Sequence, residues 1–169
     1  GTTLLSRLLI DYFDFGIGPE GHWIAPTAKR LSEYGDLAVP SNIGRLIDDI
    51  LGENMFQIVR EQYEARYGWP IDVTPTNVRE GLREHSYAGV VFAALDTLAG
   101  QLRKSRVASK DPGFYRELDT LDSVFKSRAK YLCIVRDGRD VALSLMKQPW
   151  GQKTWHANAR LWADTAASI

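Results

Sequence analysis

Residues 131–145, YLCIVRDGRDVALSL, constrain the fold more than any other stretch of the chain. Tyr131 to Val135 is a short, mostly apolar run of the kind that makes a buried strand. Arg136 stands at its carboxyl end, and Asp137-Gly138-Arg139-Asp140 is a polar turn. Val141, Ala142, Leu143 and Leu145 then begin a helix for which Asp140 is the expected N-cap. A strand, a cation and a helix N-terminus in that order belong at the carboxyl edge of an α/β sheet, where ligands bind and where an anion suits the helix end. Ser144 falls four residues after the expected cap, about one turn, so its hydroxyl faces back and Arg136 and Ser144 can share one phosphate. The same order also describes an ordinary strand, a surface Arg and a helical Ser. A second anion-type signal is needed to choose.

The amino terminus supplies one. Gly1-Thr2-Thr3 opens onto Leu4, Leu5, Leu8 and Leu9, an apolar helix face. Glycine lets the backbone approach an anion, the first N–H groups of the helix point at it, and two hydroxyls add donors. The nucleoside-triphosphate version of such a loop places Lys between Gly and Ser/Thr. Thr2 stands there instead, which disfavours a magnesium triphosphate site. A capped amphipathic helix that happens to start Gly-Thr-Thr has the same sequence; the pairing of two anion-type helix starts argues against it.

The two motifs together resemble those of the sulfotransferases that use 3′-phosphoadenosine 5′-phosphosulfate (PAPS). Gly1-Thr2-Thr3-Leu4-Leu5 looks like the second half of that family's 5′-phosphosulfate loop. Arg136 to Ser144 matches its 3′-phosphate motif, often RDPRDVALS, with Gly138 in place of the usual Pro. Lys110-Asp111-Pro112 looks like a third element, and the three occur in the family's order. The resemblance implies an α/β fold: a three-layer, P-loop-like parallel sheet with flanking helices and a large helical insertion at about 41–104 covering the acceptor side. It implies a single, partial sulfotransferase-like domain over 1–169 that begins inside the loop, with the first strand and C-terminal part missing.

The implied reaction moves a sulfuryl group from PAPS to a hydroxyl or amine, releasing adenosine 3′,5′-bisphosphate, with no metal. The resemblance assigns Gly1, Thr2 and Thr3 to the 5′-phosphosulfate, Arg136 and Ser144 to the 3′-phosphate, and Lys110 to the neighbourhood of the transferred group. Glu20 in the Gly-Pro-Glu-Gly loop is the first candidate for the base. His22 is the second, histidine being the side chain that ordinarily changes charge near neutral pH. Asp111 is a third. Arg139 and Asp140 are expected to hold the turn by pairing and capping. Acceptors that fit are small molecules, carbohydrates and proteins.

Composition restricts the partners. At 169 residues the chain fits one domain with a sizeable core, and 44% hydrophobic with 25% charged residues is ordinary for a soluble globular protein. Its 21 basic and 21 acidic residues leave no overall field to attract nucleic acid or an acidic membrane. No apolar run is long enough to span a bilayer. A soluble protein is expected, cytoplasmic if bacterial, with the compartment undetermined. The single cysteine, Cys133, lies in the strand signal and is expected to be a buried thiol.

Between the motifs, Asp14 to Pro26 reads as a loop rich in Gly and Pro. Ser41 or Asn42 caps a helix carrying Ile43, Leu46, Ile47, Ile50 and Leu51, stopped at Gly52. Asn54 to Tyr67 reads as another helix. Thr76 or Asn77 begins a helical stretch to about Lys104, broken near Ser86, with a stripe of Val91, Ala94, Leu95, Leu98 and Leu102. Arg106 to Ser109 is a strand, and Asp111 to Phe125 a turn and helix with Leu118, Leu121 and Phe125 inward. With the Tyr131 strand and the Ser144 helix following, the β-α-β-α order implies parallel strands with right-handed crossovers. Trp155, Ala159, Trp162, Ala166 and Ile169 lie at helical spacing and read as core.

Two alternatives stay open from the residues. A P-loop small-molecule kinase shares the layout, but needs a Lys after Gly1 or a full Walker loop upstream. A truncated, non-catalytic nucleotide-binding homologue shares the motifs, and a sulfate-transfer assay separates it from an enzyme.

Overall fold

A computed structural model describes residues 1–52, 61, 63–66 and 68–168, with only the backbone given for Pro19. The chain divides into two compact units, Thr2–Ala129 on the one hand and Gly1 with Lys130–Ile169 on the other.

The larger unit is α/β. Helix α1 (Thr2–Tyr12) leads into strand β1 (Phe15–Glu20). Helices α2 (Ile24–Lys29), α3 (Pro40–Gly52), α4 (Pro75–Gly81) and α5 (Tyr87–Gln101) follow, then strand β2 (Arg106–Lys110) and helix α6 (Leu118–Phe125). Among the described residues β1 and β2 form a two-stranded parallel sheet.

The residues 15–20 correct the expectation of a loop over Asp14 to Pro26. Gly and Pro there read as turn formers, yet the glycines serve a close approach of helix to strand. A Cβ on Gly16 would stand 2.6 Å from the Cα of Ala99 on α5, and one on Gly18 would stand 3.0 Å from the Leu95 side chain. Ile17, on the opposite face, is buried as well. The register runs Phe15↔Arg106, Gly16↔Val107, Ile17↔Ala108 and then Glu20↔Lys110. One extra β1 residue therefore bulges out at Gly18-Pro19, where a proline lacking an N–H is tolerated.

The core gathers around α3 and α5. Ile43, Leu46, Ile47, Ile50 and Leu51 of α3 are all buried, as the stripe implied. Helix α5 is buried nearly all round, including Val91, Ala94, Leu95 and Leu98, and Leu102 just beyond it is buried too. The expected break before α5 is present. Ser86 caps α5 by accepting the Gly89 N–H at 3.0 Å, while α4 starts earlier than expected because Thr74 caps it in a reciprocal box with Asn77. Leu121 and Phe125 of α6 are buried and Leu118 half-buried. The expected helix Asn54 to Tyr67 lies outside the described residues except at 61 and 63–66, which are helical.

In the smaller unit, α7 (Gly138–Met146) packs on α8 (Trp155–Ala167). Two expectations change. Tyr131 to Val135 forms no strand, and Leu132 and Val135 are 70% and 69% exposed. Cys133 is exposed too, not a buried thiol. An apolar run gives the capacity for burial, but a strand exists only with a ladder partner, and no described residue pairs here. Helix α8 has the expected period with its inward face turned by one residue: Asn158 is buried and Leu161, Trp162 and Thr165 half-buried, whereas Trp155, Ala159 and Ala166 are exposed. Ile169 lies outside the described residues. Asn158 earns its burial by donating from Nδ2 to the Gln152 and Thr154 carbonyls at 3.0 and 2.9 Å, which fixes the entry into α8.

Gly16→Ala is expected to destabilise the protein by about 1–3 kcal/mol, because the Ala99 backbone cannot yield to a new methyl. Gly100→Ala, in α5 with nothing within 4 Å of its Cβ, should instead be neutral or stabilise by about 0.5–1 kcal/mol. Urea unfolding of both variants checks the contrast.

Candidate active site

In the larger unit, the site stands where β1 and β2 end side by side. Glu20 closes β1, Lys110 closes β2, and the two are ladder partners. The Gly21 N–H donates to the Lys110 carbonyl at 3.1 Å and carries the pairing one step further. Gly21 must lack a side chain, since a Cβ would fall 2.4 Å from the Phe114 ring and 2.7 Å from the Ser109 hydroxyl. Trp23, Ile24 and Ala25 then plunge into the core, so the chain is pinned on both sides of His22.

Four charged or titratable groups meet there. The Lys110 ammonium forms a close ion pair with Glu20 Oε1. His22 Nε2 lies 2.9 Å from Glu20 Oε2, and His22 Nδ1 lies 2.7 Å from Asp111 Oδ2. The Asp111 carboxylate is 4% exposed, and its other oxygen accepts the Gly113 N–H at 2.6 Å. Burial works to raise the Glu20 carboxyl, but the Lys110 ammonium, and after it His22, outweigh burial and hold it below its ordinary 4.5. The structure thus brings Lys110, Glu20 and His22 together. It adds Asp111, which the sequence offered only as a third base, and the signal for it was its place directly after Lys110. Among the described residues no group of three or more His, Cys, Asp or Glu is arranged to hold a metal ion.

The remaining sequence-chosen residues flank two helix starts. Helix α1 begins at Thr2, which is half-buried, while Thr3 is exposed. The expected apolar face of α1 is not a core face, because Leu4 and Leu8 are 64% and 42% exposed and Ile10 is the buried residue.

In the smaller unit, Gly1 is exposed and a Cβ on it would stand 3.3 Å from the Ile134 side chain. The cap of α7 is Asp137 rather than Asp140: its carboxylate accepts the Arg139 N–H at 2.9 Å. The Arg139 guanidinium grips the same carboxylate in fork fashion at 3.1 and 2.6 Å, and holds its pKa down at about 2. Arg139 is therefore spent on the turn. With the helix starting at Gly138, Ser144 sits about 9 Å along the axis from that start, about half a turn farther than the spacing from Asp140 implied. Ser144 is exposed. Arg136 keeps a half-exposed guanidinium whose contact with Asp140 is a loose 3.6 Å. Its backbone is fixed from behind: Trp162 Nε1 donates to the Arg136 carbonyl at 2.9 Å. The same indole explains the departure at Gly138, where any Cβ, proline's included, would come 2.7 Å from the Trp162 ring.

An α/β unit with a cation, two carboxylates and a histidine at the carboxyl edge of its parallel strands has the general layout of a ligand-binding enzyme of that class. A family model described as "Sulfotransferase family" matches residues 1–168, and the chain belongs to that family. Neither a curated protein nor a solved structure matches it. No helix among the described residues is long and apolar enough to cross a membrane.

A carboxyl whose pKa is depressed by folding adds stability that is complete above its ordinary value and is lost as pH falls through the lowered one. The stability difference between the wild type and Lys110→Met should accordingly narrow as pH drops below 4.5, the ordinary value of Glu20. Urea unfolding at pH 7 and at pH 3 measures it; a gap of equal size at both would refute the linkage.

Proposed function

We propose that the protein transfers a sulfuryl group from PAPS to a hydroxyl or amine acceptor, on a P-loop-like three-layer sheet of which β1 and β2 are part. The observation that carries this reading is the joining of Lys110, Glu20 and His22 at the strand ends of a chain matched along nearly its whole length by the sulfotransferase family. The family match favours sulfuryl transfer over the phosphoryl-transferring alternative.

The residues suit the donor's charge. Arg136 is exposed and loosely paired, so its guanidinium is available to an anion, whereas Arg139 is consumed by Asp137. Arg136 and Ser144 hold the 3′-phosphate in this reading, and Gly1, Thr2 and Thr3 line the 5′-phosphosulfate at the start of α1. When bound, PAPS supplies a sulfuryl group attached to a phosphate leaving group. Lys110 then places positive charge where negative charge builds up, and the paired ends of β1 and β2 fix the backbone from which it reaches. Glu20 and His22 receive the acceptor's proton. The work of the protein is positioning and charge stabilisation, as in phosphoryl transfer. The acceptor is a small molecule, carbohydrate or protein side chain.

Transfer of labelled sulfate from PAPS by the full-length protein tests the reading, and Lys110→Ala should reduce it by two orders of magnitude or more, about the cost of losing one preorganised charge-stabilising donor. Arg136→Ala should raise the dissociation constant for adenosine 3′,5′-bisphosphate at least about tenfold, given about 1.5–3 kcal/mol for a hydrogen bond to a charged group. Calorimetry reads it, and unchanged affinity would remove Arg136 from the site.

A further inference from the structure

A carboxylate that is 96% enclosed needs partners for both oxygens. Asp111 has one partner for each. Oδ1 accepts the Gly113 N–H at 2.6 Å, and Oδ2 faces His22 Nδ1 at 2.7 Å. An ionised carboxylate only accepts, so the Nδ1 nitrogen carries a hydrogen and donates it. Glu20 Oε2 also accepts, 2.9 Å from Nε2, but its carboxylate is 36% exposed and is already held by Lys110, whereas that of Asp111 is 4% exposed; when the ring is neutral the hydrogen therefore stays with the enclosed Asp111 and the lone pair is on Nε2. Glu20 is in turn held by Lys110 at Oε1. These are the charged groups that face His22, and each stands at or directly after a strand end, while the His22 ring between them is 54% exposed.

We propose that Asp111 is the positioning residue of the site: it holds His22 by Nδ1, so that Nε2 is the nitrogen shared with Glu20 and the Glu20–His22 pair acts as one proton acceptor. This rests on the sulfotransfer reading. In the step concerned, the acceptor oxygen bonds to sulfur and its O–H bond breaks. The bond from sulfur to the bridging oxygen breaks with its electron pair left on the departing phosphate. The proton goes to the Glu20–His22 pair, into the 2.9 Å contact between Nε2 and Oε2. The pair takes up one proton between its two members.

Asp111→Asn is the discriminating variant. The Gly113 N–H can only donate, so it keeps the amide oxygen of the new side chain. The amide NH₂ is then left facing His22 Nδ1, which must accept, and the ring hydrogen moves to Nε2. The reversal parallels that known for a triad histidine whose aspartate becomes asparagine.

Nitrogen NMR of His22 in the full chain, assigned with His22→Gln and read where the ring is neutral, should show the Nδ1–H form in the wild type and the Nε2–H form in Asp111→Asn. The Asn variant should lose at least about 100-fold in kcat, the low end of what a general base contributes, with KM for PAPS unchanged and the pH profile altered. On a His22→Gln background the same substitution should cost no further activity. An Nε2–H tautomer in the wild type overturns the proposal, a measurement that needs no variant to fold. So does an Asp111→Asn loss that is undiminished without His22, which would make Asp111 merely structural. If the full-length protein transfers no sulfate, the functional reading fails, while the tautomer measurement still decides whether Asp111 sets the ring.

Discussion

The parallel ladder between β1 and β2 joins segments 90 residues apart in sequence, and the rest of the larger unit is arranged to make that joining possible. Closing so long a loop costs chain entropy, and a two-stranded ladder alone does not repay it. Helix α5 does, by lying on β1 so closely that a Cβ at residue 16 would meet the Ala99 backbone and one at residue 18 would press on Leu95, and by being buried almost all round. The same packing decides where the strands stop. Glu20 and Lys110 meet because the bulge at Gly18-Pro19 restores the register at the last rung, and Gly21 extends it by one more hydrogen bond.

Electrostatics at the strand ends follow from that register. Opposite charges on ladder partners lower the Glu20 carboxyl despite burial, and a second, nearly enclosed carboxylate balances the histidine from the other side. The row Lys110, Glu20, His22, Asp111 alternates in charge when His22 is protonated, so it can be partly enclosed without leaving a lone ion in a poor solvent. A row of this kind also couples its members: a ligand that draws Lys110 away changes what Glu20 and His22 can hold.

Much of this was legible in the residues. The α3 and α5 stripes, the break at Ser86, β2 and the α6 face all came from periodicity and caps, which act locally. Lys110, Glu20 and His22 came from a motif and a loop, and the family resemblance agrees with the family to which the chain belongs. What escaped were features set by distant neighbours. Gly16 and Gly18 read as turn residues because nothing local announces a helix pressed on a strand. Tyr131 to Val135 read as a buried strand because apolarity says nothing of whether a ladder partner is present. Asp140 read as the cap because Asp137-Gly138-Arg139-Asp140 looked like a turn, and the indole that requires Gly138 lies 24 residues further on. The partnership of Asp111 with His22 was likewise invisible, since it depends on two strand ends coming to rest side by side.

The contact between Gly138 and Trp162 makes the two positions a single hereditary choice. With an indole seated on the first residue of α7, any side chain added at 138 needs a smaller residue at 162, and shrinking residue 162 first removes the donor to the Arg136 carbonyl. The bare Cα at 138 and the indole at 162 therefore act as one support for the arginine, and neither can be exchanged alone without disturbing it.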